Sequence, residues 1–459
     1  MSGPATDARA AHAAGVQRLV QSYRDVPRAA AVRLAKPTSN LFRARTKADA
    51  TGLDTSGLTN VIAVDAEART AEVAGMCTYE DLVATTLPHG LAPLVVPQLK
   101  TITLGGAVTG LGIESTSFRN GLPHESVIEM DILTGTGEVI TTSPQRHPDL
   151  YRAFPNSYGT LGYAVSLRIE LEPVAPFVAL RHVRFHSLTA LVETMDRIIE
   201  TRDLDGVPVD YLDGVVFSAE ESYLCVGTQT TARGPVSDYT GQKIYYRSIR
   251  HESGVSHDRL TILDYLWRWD TDWFWCSEAF GAQNPRLRRF WPRRFRRSSF
   301  YSTLMKYEQR WHIGDRIEKR RGLPPRERVV QDIEVPIGRT AEFLDWFLAA
   351  VPITPVWLCP LRLRGDDGWP LYPLRPRQTY VNVGFWSTVP VGQTEGQTNR
   401  LIERKVGELG GHKSLYSDSY YSPEEFDGLY GGDTYGAVKD RYDPDARLLD
   451  LYAKAVQRR

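Results

Sequence analysis

The chain has 459 residues, of which 42% are hydrophobic, and its 55 basic and 55 acidic residues give a formal net charge of zero. Such a length exceeds one ordinary hydrophobic core, so two lobes are expected. A neutral chain has no overall field that would draw it to nucleic acid, which disfavours that partner. The four cysteines form no C-x-x-C pair and the ten histidines include no pair at metal-ligand spacing, so neither a disulfide scaffold nor a metal enzyme is expected.

The N-terminus carries no signal-peptide core, and no apolar run approaches the roughly 20 residues that span a bilayer. Scattered cysteines without partners are typical of a reducing compartment. We therefore predict a cytoplasmic protein that is either soluble or peripheral on the inner face of the cell membrane.

The first half of the chain predicts a helix and then short strands. Val16, Leu19 and Tyr23 recur at helical spacing within residues 8–24. Strands are expected at 61–64, 71–73, 128–134, 138–142 and 165–171, with a helix at 78–89. Thr78 would cap that helix, and Gly135-Thr136-Gly137 would turn the hairpin.

The second half mixes both element types. Strands are expected at 178–185, 223–229 and 380–385, and helices at 188–201 and 340–350. From about residue 397 the tail carries further helices and a tyrosine-rich segment at 416–421.

Two glycine-rich strings are the most informative motifs. The first runs from Thr101 to Ser117 and the second from Asn156 to Gly162. Each sets small residues and hydroxyls between extended segments, without the helix start of a nucleotide-binding βαβ unit. Backbone N–H groups unshielded by side chains can approach a phosphate, and Ser and Thr hydroxyls add donors. Such a pair suits a long dinucleotide lying across strands and loops, which points to a flavin.

The ordered set of motifs resembles the vanillyl-alcohol-oxidase/PCMH superfamily of FAD enzymes, and within it the Δ24-sterol reductase branch. The strings that carry the resemblance are Ile102–Gly106, Gly112–Ser115, Tyr158–Gly162, Val330–Asp332, Val335-Pro336, Pro355–Pro360 and Ser422–Phe426. The chain is similar in particular to the actinobacterial FAD reductases that complete 10-methyl-branched (tuberculostearic-type) fatty acids.

The resemblance implies an α+β fold of two lobes. A PCMH-type FAD-binding domain would occupy residues 32–176, and a substrate (cap) domain of mixed antiparallel sheet and helix residues 177–396. A helical segment at 1–31 would precede them. A second helical segment at 397–459 would complete the cleft for flavin and substrate.

By position, the resemblance also implies where FAD would bind, with residues 38–40 in the first pyrophosphate loop. The implied set is Thr38, Ser39, Asn40, Pro97, Thr101, Thr103, Leu104, Gly105, Gly106, Gly110, Gly112, Ile113, Ser117, Ser157, Gly159, Thr160 and Gly162. Residues 32–88 contain no histidine, so the usual histidyl anchor has no residue available. We therefore predict non-covalent, dissociable FAD.

The candidate catalytic residues are proton donors. Hydride addition to an isolated alkene requires an acid at the other carbon. Asp332 and Glu334 stand two apart on a predicted strand and should share one face. Tyr416 and His124 are further candidates, and a surface carboxylate, a packed tyrosine or a solvated histidine is the ordinary alternative for each. No G-x-G-x-x-G follows a strand, so NADPH or NADH would visit the flavin cleft as a transient reductant.

An arginine-rich stretch at 286–297 holds seven arginines and no acid. Aromatic side chains can lie in the headgroup layer of a membrane, and a guanidinium can donate two hydrogen bonds to one phosphate. The composition of this stretch therefore suits an anionic phospholipid surface. The predicted contact residues are Arg286, Arg288, Arg289, Trp291, Arg293, Arg294, Arg296 and Arg297. Internal ion pairs with core aromatics are the alternative, and nucleic acid is disfavoured because no binding module accompanies the stretch.

The resemblance implies an FAD-dependent, NAD(P)H-driven reduction of an unactivated C=C bond in a lipid. The favoured substrate is a 10-methylene acyl phospholipid, reduced to a 10-methyl chain after a SAM-dependent lipid methyltransferase has placed the methylene. Δ24-sterol-type reduction, FAD-dependent oxidation of a sugar or alcohol, and a non-catalytic lipid-binding protein remain as alternatives.

Overall fold

The computed structural model describes residues 4–36, 42, 50–239, 243–311, 322 and 324–458. It confirms the α+β class, with two large antiparallel sheets that are each covered by helices. Among these residues no helix combines the length and the apolar character that crossing a bilayer requires.

The first sheet has six strands and contains the predicted hairpins. In spatial order they are Val61–Asp65, Thr70–Ala74, Tyr163–Pro173, Val127–Leu133 and Val139–Thr142, with Leu91–Pro93 paired to Tyr163–Pro173. Tyr163–Pro173 bonds to strands on both sides, and its residues 164–167 are all buried. The strands expected at 61–64, 71–73, 128–134, 138–142 and 165–171 are therefore confirmed, each with its end shifted by at most two residues.

Two short helices position the first glycine string against this sheet. The hydroxyl of Thr78 accepts from the Asp81 amide at 3.2 Å and caps Tyr79–Thr86, as predicted. Thr103 caps a second helix, Leu104–Thr109, by accepting from the Gly106 amide at 3.2 Å. The string does lie between strands, Leu91–Pro93 and Val127–Leu133, but the expectation that it contains no helix start is wrong. Tertiary packing overrides the low helix propensity of glycine here, because a Cβ on Gly105 would lie 2.6 Å from a backbone carbonyl oxygen.

The second sheet has eight antiparallel strands. In spatial order they are Val255–Thr261, Phe177–Phe185, Glu221–Thr230, Tyr211–Ser218, Val356–Leu361, Tyr380–Pro390, Arg326–Pro336 and His412–Lys413. Helices Leu188–Thr201 and Ile337–Ala350 bury their apolar side chains against one face. Side chains alternate along a strand, so Ile333 and Val335 join that core while Asp332 and Glu334 face the other way.

The remaining elements connect the two sheets. The N-terminal helix spans Pro4–Arg24, longer than the predicted 8–24. The other α-helices are Ser117–Asn120, Pro148–Ala153, Tyr245–Ile249, Ile262–Leu266, Pro285–Phe290, Ser298–Trp311, Gln397–Glu408, Pro423–Leu429, Gly432–Tyr442 and Leu451–Ala455. Short 3-10 helices are Leu87–His89, Pro123–Ser126, Cys276–Phe280 and Arg293–Phe295. Two small sheets pair Val32–Leu34 with Thr51–Leu53, and Asp203–Leu204 with Val207–Pro208.

The C-terminal tail contacts both sheets. His412–Lys413 extends the second sheet by pairing with Arg326–Pro336. Lys439 and Lys454, farther along, donate to the carbonyls of Thr160 and Tyr158 at 2.8 and 2.5 Å. The tail therefore fixes the second glycine string.

Candidate functional site

One large cleft lies between the first glycine string and the free face of the second sheet. It has an empty volume of about 1210 Å³ and opens to solvent. Its lining residues are Lys36, Phe42, Pro97, Gln98, Leu99, Thr101, Ile102, Thr103, Gly106, Thr109, Gly110, Leu111, Gly112, Ile113, Tyr158, Trp273, Phe274, Cys276, Asp332, Trp357, Trp386, Ser414 and Tyr416.

The first glycine string forms one wall of the cleft. Seven residues of the predicted cofactor set line it: Pro97, Thr101, Thr103, Gly106, Gly110, Gly112 and Ile113. At Gly112 a Cβ would lie 2.8 and 2.9 Å from two proline rings, so the backbone must stay bare there. Leu104 and Gly105 instead pack inward, and the Ser117 hydroxyl accepts from the Glu114 amide at 3.1 Å. These three residues shape the wall without lining it.

The second glycine string reaches the cleft through Tyr158. Its predicted members Ser157, Gly159, Thr160 and Gly162 do not line the cleft. The Ser157 and Thr160 hydroxyls donate to backbone carbonyls within the same turn, at 2.6 and 2.7 Å. The backbone is left-handed at Tyr158 (φ 51°) and Gly159 (φ 76°). Such a turn is costly for a tyrosine and is found where the surrounding structure fixes it, which here aims the Tyr158 ring at the cleft.

Aromatic side chains line the opposite wall. Trp273 and Phe274 both have left-handed backbone conformations, with φ of 47° and 59°. Phe274 packs on Trp386 with ring centroids 4.5 Å apart, and Phe42 stacks on Trp273 at 5.4 Å. Two consecutive non-glycine residues with positive φ mark a conformation that is maintained against local strain. The result is an aromatic surface facing the glycine string.

Asp332 and Tyr416 bring an acid to this aromatic wall. Tyr416 accepts a hydrogen bond from the Trp386 indole at 3.0 Å and hydrogen-bonds to the Asp332 carboxyl. Burial raises the pKa of Asp332 to about 7, although hydrogen bonds from Asn382 and Tyr416 act in the opposite direction. Gly384 lies opposite Asp332 in the sheet, and a Cβ there would come within 2.5 Å of its carboxyl oxygen. The chain thus leaves space for a carboxylic acid whose pKa lies close to neutral pH, so that its protonated form is available there.

Glu334 lies behind this wall. Its carboxyl accepts from the Ser414 hydroxyl at 3.3 Å, and Ser414 itself lines the cleft. Burial raises the pKa of Glu334 to about 8, and the nearby Asp332 adds to the rise. The prediction that Asp332 and Glu334 share one face of a strand is confirmed, since both lie on Arg326–Pro336 with their side chains on the side opposite Ile333.

The structure does not bring His124 into the cleft. The side chain is buried, and its ring lies edge-on to Trp369 with centroids 4.5 Å apart. Burial lowers the pKa of His124 to about 3, so the imidazole is neutral at physiological pH.

A second polar cluster lies just behind the cleft. Arg268 is fully buried and donates to Glu114 at 2.8 Å and to Asp213 at 2.9 Å. The same Asp213 oxygen accepts from the indoles of Trp269 and Trp357 at 3.2 and 3.1 Å. Because Trp357 lines the cleft, this cluster fixes a piece of its wall.

The arginine-rich stretch divides into a buried and an exposed part. Arg288 is buried and makes two bonds to Asp272, at 2.6 and 3.0 Å. Arg296 is buried and donates to two backbone carbonyls, and Arg297 pairs with Glu80 at 2.6 Å. Trp291 is half-buried and hydrogen-bonds to a carbonyl. The internal bonds of the alternative interpretation are therefore present at Arg288, Arg296 and Arg297, which are not available as predicted for lipid contact. The exposed arginines are Arg286, Arg289, Arg293 and Arg294.

Many cleft residues were not singled out from the sequence. These are Lys36, Phe42, Gln98, Leu99, Ile102, Thr109, Leu111, Tyr158, Trp273, Phe274, Cys276, Trp357, Trp386 and Ser414. Trp357 and Tyr158 lie inside strings that carried the family resemblance, so those motifs contained a usable signal. Trp273 and Phe274 gave none beyond a general richness in tryptophan.

Comparisons with known proteins agree with this geometry. The family model of the FAD binding domain matches residues 4–143. Delta(24)-sterol reductase of Mus musculus is 25% identical over 417 residues, which cover 86% of this chain and 76% of that protein. The Arabidopsis thaliana Delta(24)-sterol reductase is 24% identical over 458 residues, covering 89% and 77%. Cytokinin dehydrogenase 2 of Oryza sativa subsp. japonica is 34% identical over 162 residues, 34% of this chain and 28% of that one.

The cleft fits the FAD that this domain implies. Thr101 and Thr103 place hydroxyls on the cleft wall, and the Thr103 hydroxyl, which accepts from the Gly106 amide, can still donate to a pyrophosphate. The amides of Gly106 and Gly110 are bonded within the helix and its cap, so these glycines offer close approach rather than donors. The aromatic wall suits a flat ring system. The predicted first pyrophosphate loop, Thr38 to Asn40, lies outside the described residues.

Proposed function

We propose that this chain, an FAD-linked oxidoreductase distantly related to Delta(24)-sterol reductases, reduces an unactivated C=C bond in a lipid. The observation that carries the proposal is the placement of one buried acid with a raised pKa, Asp332, on an aromatic wall of the flavin cleft. An isolated alkene has no carbonyl to polarise it, so its reduction needs that combination of an apolar site and a proton donor.

The character of the cleft supports an apolar substrate. The wall that faces the glycine string is built from Trp273, Phe274, Trp357 and Trp386. A sugar would require several hydrogen-bonding groups there, because buried polar groups of a ligand that stay unpaired are costly. The aromatic wall therefore favours a lipid over a sugar or a short alcohol.

Protonation of the substrate is assigned to Asp332. Reduced FAD, when bound, supplies the hydride. Asp332 would deliver the proton to the second alkene carbon, and Tyr416 would hold the carboxyl in place through its hydrogen bond. A positioned acid contributes about 10²–10⁴-fold to such a step. Glu334 accepts a hydrogen bond from the cleft residue Ser414 and would act as a second proton donor.

NADPH is proposed as the external electron donor, visiting the cleft before the lipid. The cleft opens to solvent, so NADPH would enter and leave before the lipid binds. FAD is proposed to be held without a covalent bond, and release of the flavin from the denatured polypeptide tests this. A flavin that stays on the polypeptide after denaturation and gel filtration would contradict it.

For the substrate we favour a 10-methylene acyl phospholipid, converted to a 10-methyl acyl chain. Its exposed methylene is as unactivated as the alkene of a sterol side chain, so the same residues would serve either reaction. A SAM-dependent methylating enzyme would supply this substrate. Sterol reduction is the second candidate, favoured by the names of the similar proteins.

The test is an anaerobic titration of the purified flavoprotein. NADPH should bleach the visible flavin spectrum, and a phospholipid carrying a 10-methylene acyl chain should restore it and yield a 10-methyl chain. Asp332→Asn should bleach normally but recover slowly. The matched control is Asp367→Asn, an exposed carboxyl outside the cleft, which should behave as the wild type.

Two outcomes would contradict the proposal. Recovery of the flavin spectrum with a Δ24 sterol, and none with the methylene lipid, would show that a sterol is the substrate. Bleaching by a sugar or alcohol, with recovery when oxygen is admitted, would establish an oxidase.

A further inference from the structure

An exposed apolar pair stands out on the helix Pro285–Phe290. Phe290 is 83% exposed, the largest value among the large hydrophobic side chains described as exposed, and Leu287 is 54% exposed. Isolated exposed apolar residues are ordinary, but a phenylalanine so fully in solvent next to a leucine forms a protruding patch.

Exposed arginines flank this pair in the chain. The exposed arginines Arg286, Arg289, Arg293 and Arg294 lie in the same stretch. Within the part of the chain that the structure describes, Asp238 is the carboxylate found near them, with an oxygen 3.9 Å from Arg293. The patch thus combines two apolar side chains with a local excess of positive charge. We call these six residues the arginine–phenylalanine patch.

The buried arginines hold the patch in place. Arg288, between the exposed members, is pinned to Asp272 by two bonds, and Arg296 donates to the carbonyls of Arg288 and Trp291. A helix of six residues has little stability of its own, so these contacts set its orientation. The outward direction of Phe290 follows from this anchoring.

We propose that the arginine–phenylalanine patch docks the protein on an anionic phospholipid bilayer, with Phe290 and Leu287 inserted among the lipids and the four arginines at the phosphates. Amphipathic surfaces with this composition bind at the boundary between headgroups and acyl chains. Arginine forks to phosphate oxygens with two hydrogen bonds, which suits the headgroup layer.

Other occupants fit less well. A second copy of the chain meeting this patch through a two-fold axis would bring four arginines against four, which is repulsive. Nucleic acid offers phosphates but has no apolar interior to receive Leu287. A bilayer satisfies both the charged and the apolar members.

The position in the chain links docking to the cleft. Trp273, Phe274 and Cys276 line the cleft, and the patch begins ten residues after Cys276. One segment therefore carries part of the wall of the site and the proposed membrane contact. The docking itself does not depend on which reaction the cleft performs.

The experiment is co-sedimentation with vesicles whose lipids have saturated acyl chains. NADPH is omitted from the assay, so that catalytic turnover does not contribute. Vesicles of phosphatidylglycerol and phosphatidylcholine in equal parts are compared with pure phosphatidylcholine. The wild type should bind the anionic vesicles more tightly, and added salt should weaken that binding. Phe290→Ser should lower the partition coefficient about 30-fold, the value of one buried phenylalanine.

Charge reversal tests the other half of the patch. Each basic residue near an anionic surface contributes about fivefold in binding, so Arg286→Glu, Arg289→Glu and Arg294→Glu together should reduce binding by about 100-fold or more. The matched controls are Arg24→Glu with Arg28→Glu, two exposed arginines near the N-terminus, and Leu263→Ser, which is 46% exposed. Both controls should bind like the wild type.

The results separate clearly. The visible flavin spectrum and the melting temperature show that each variant is folded. Wild-type binding to anionic vesicles by Phe290→Ser, or equal binding to both kinds of vesicle, would overturn the proposal. So would tight binding of a duplex oligonucleotide with none to vesicles. Loss of docking by a variant that still reduces a detergent-dispersed substrate supports the patch, whereas a failed reduction test with intact docking would affect the proposed function alone.

Discussion

Two pairs of buried carboxyl groups flank the cleft, and they differ in what surrounds them. Glu114 and Asp213 share the guanidinium of Arg268, which is itself fully buried. Asp332 and Glu334 have hydroxyl and amide partners instead, and the groups that shift their pKa values include no cation. Both pairs are out of solvent, so burial alone does not distinguish them.

The difference shows what a cation decides. Arg268 holds the carboxyls of Glu114 and Asp213 in one geometry. The indoles of Trp269 and Trp357 also donate to Asp213, and such a network suits a structural role. Burial raises the pKa of Glu114 as well, but the Arg268 guanidinium opposes that rise. No cation opposes it at Asp332 and Glu334, and a neutral acid can give up a proton. The first pair therefore holds the wall and the second is suited to chemistry.

The largest effect is expected where the acid is removed. Asp332→Asn keeps the shape and the neutral state but has no acidic proton, so lipid-dependent reoxidation of the flavin should slow by about 10²–10⁴-fold. Bleaching by NADPH should stay within a few-fold of wild type. Stopped-flow absorbance under anaerobic conditions measures both phases, and an unchanged reoxidation rate would remove Asp332 from catalysis.

Removing the cation should act on stability. Arg268→Met leaves two buried carboxyls without their partner, which typically costs about 3–5 kcal/mol of unfolding free energy. Urea denaturation of the holoprotein measures it. The triple variant Arg268→Met, Glu114→Gln, Asp213→Asn should recover part of the loss, and Arg377→Met, in an exposed ion pair, should leave the midpoint unchanged. A stable single variant would show that the cluster has no such structural role.

The next effect is on the pH dependence of flavin reoxidation, which should follow the carboxyl pair of Asp332 and Glu334 and not the pair held by Arg268. The donor must be protonated, and burial raises the pKa of Asp332 to about 7. The reoxidation rate should therefore be constant at low pH and fall about tenfold per unit well above pH 7, because the ionised fraction grows there. The residual rate of Asp332→Asn should lack this limb. A wild-type rate that rises with pH would contradict the assignment of Asp332 as the acid.

The smallest effect is expected for the tyrosine that positions the acid. The hydrogen bond from Tyr416 lowers the pKa of Asp332, so Tyr416→Phe should move the alkaline limb to higher pH. The maximal rate should change by less than in Asp332→Asn, since the acid itself remains. A pH series of single-turnover rates measures the shift. A limb at the wild-type pH would mean that Tyr416 does not act on Asp332.

Much of the local structure could be predicted from the sequence. Strand alternation and the turn at Gly135-Thr136-Gly137 gave the hairpin Val127–Leu133 with Val139–Thr142, and the helix Leu188–Thr201 was predicted with its observed ends. These features depend on residues close together in the chain. The helix Leu104–Thr109 was missed because its glycines argue against a helix, and a contact with a distant strand stabilises it.

The cleft shows the same division. Its glycine wall was visible as a motif, and Asp332 stood out as an acid on a strand. Trp273, Phe274 and Trp386 could not be assigned, since their roles depend on contacts between residues more than 100 positions apart. In the arginine-rich stretch, seven arginines are equivalent in the sequence, and the fold buries some of them and exposes others.

By itself, the sequence determined many of the strands and helices and the two glycine strings, because periodicity and turn chemistry act over a few residues. The α+β class followed from the family resemblance. The tertiary structure alone decided which carboxyl lies beside a cation, which arginine is buried and which tyrosine faces the cleft. Those outcomes depend on burial and on partners that only folding brings together. The free energy of a buried charge is set by such partners, and no local pattern records them.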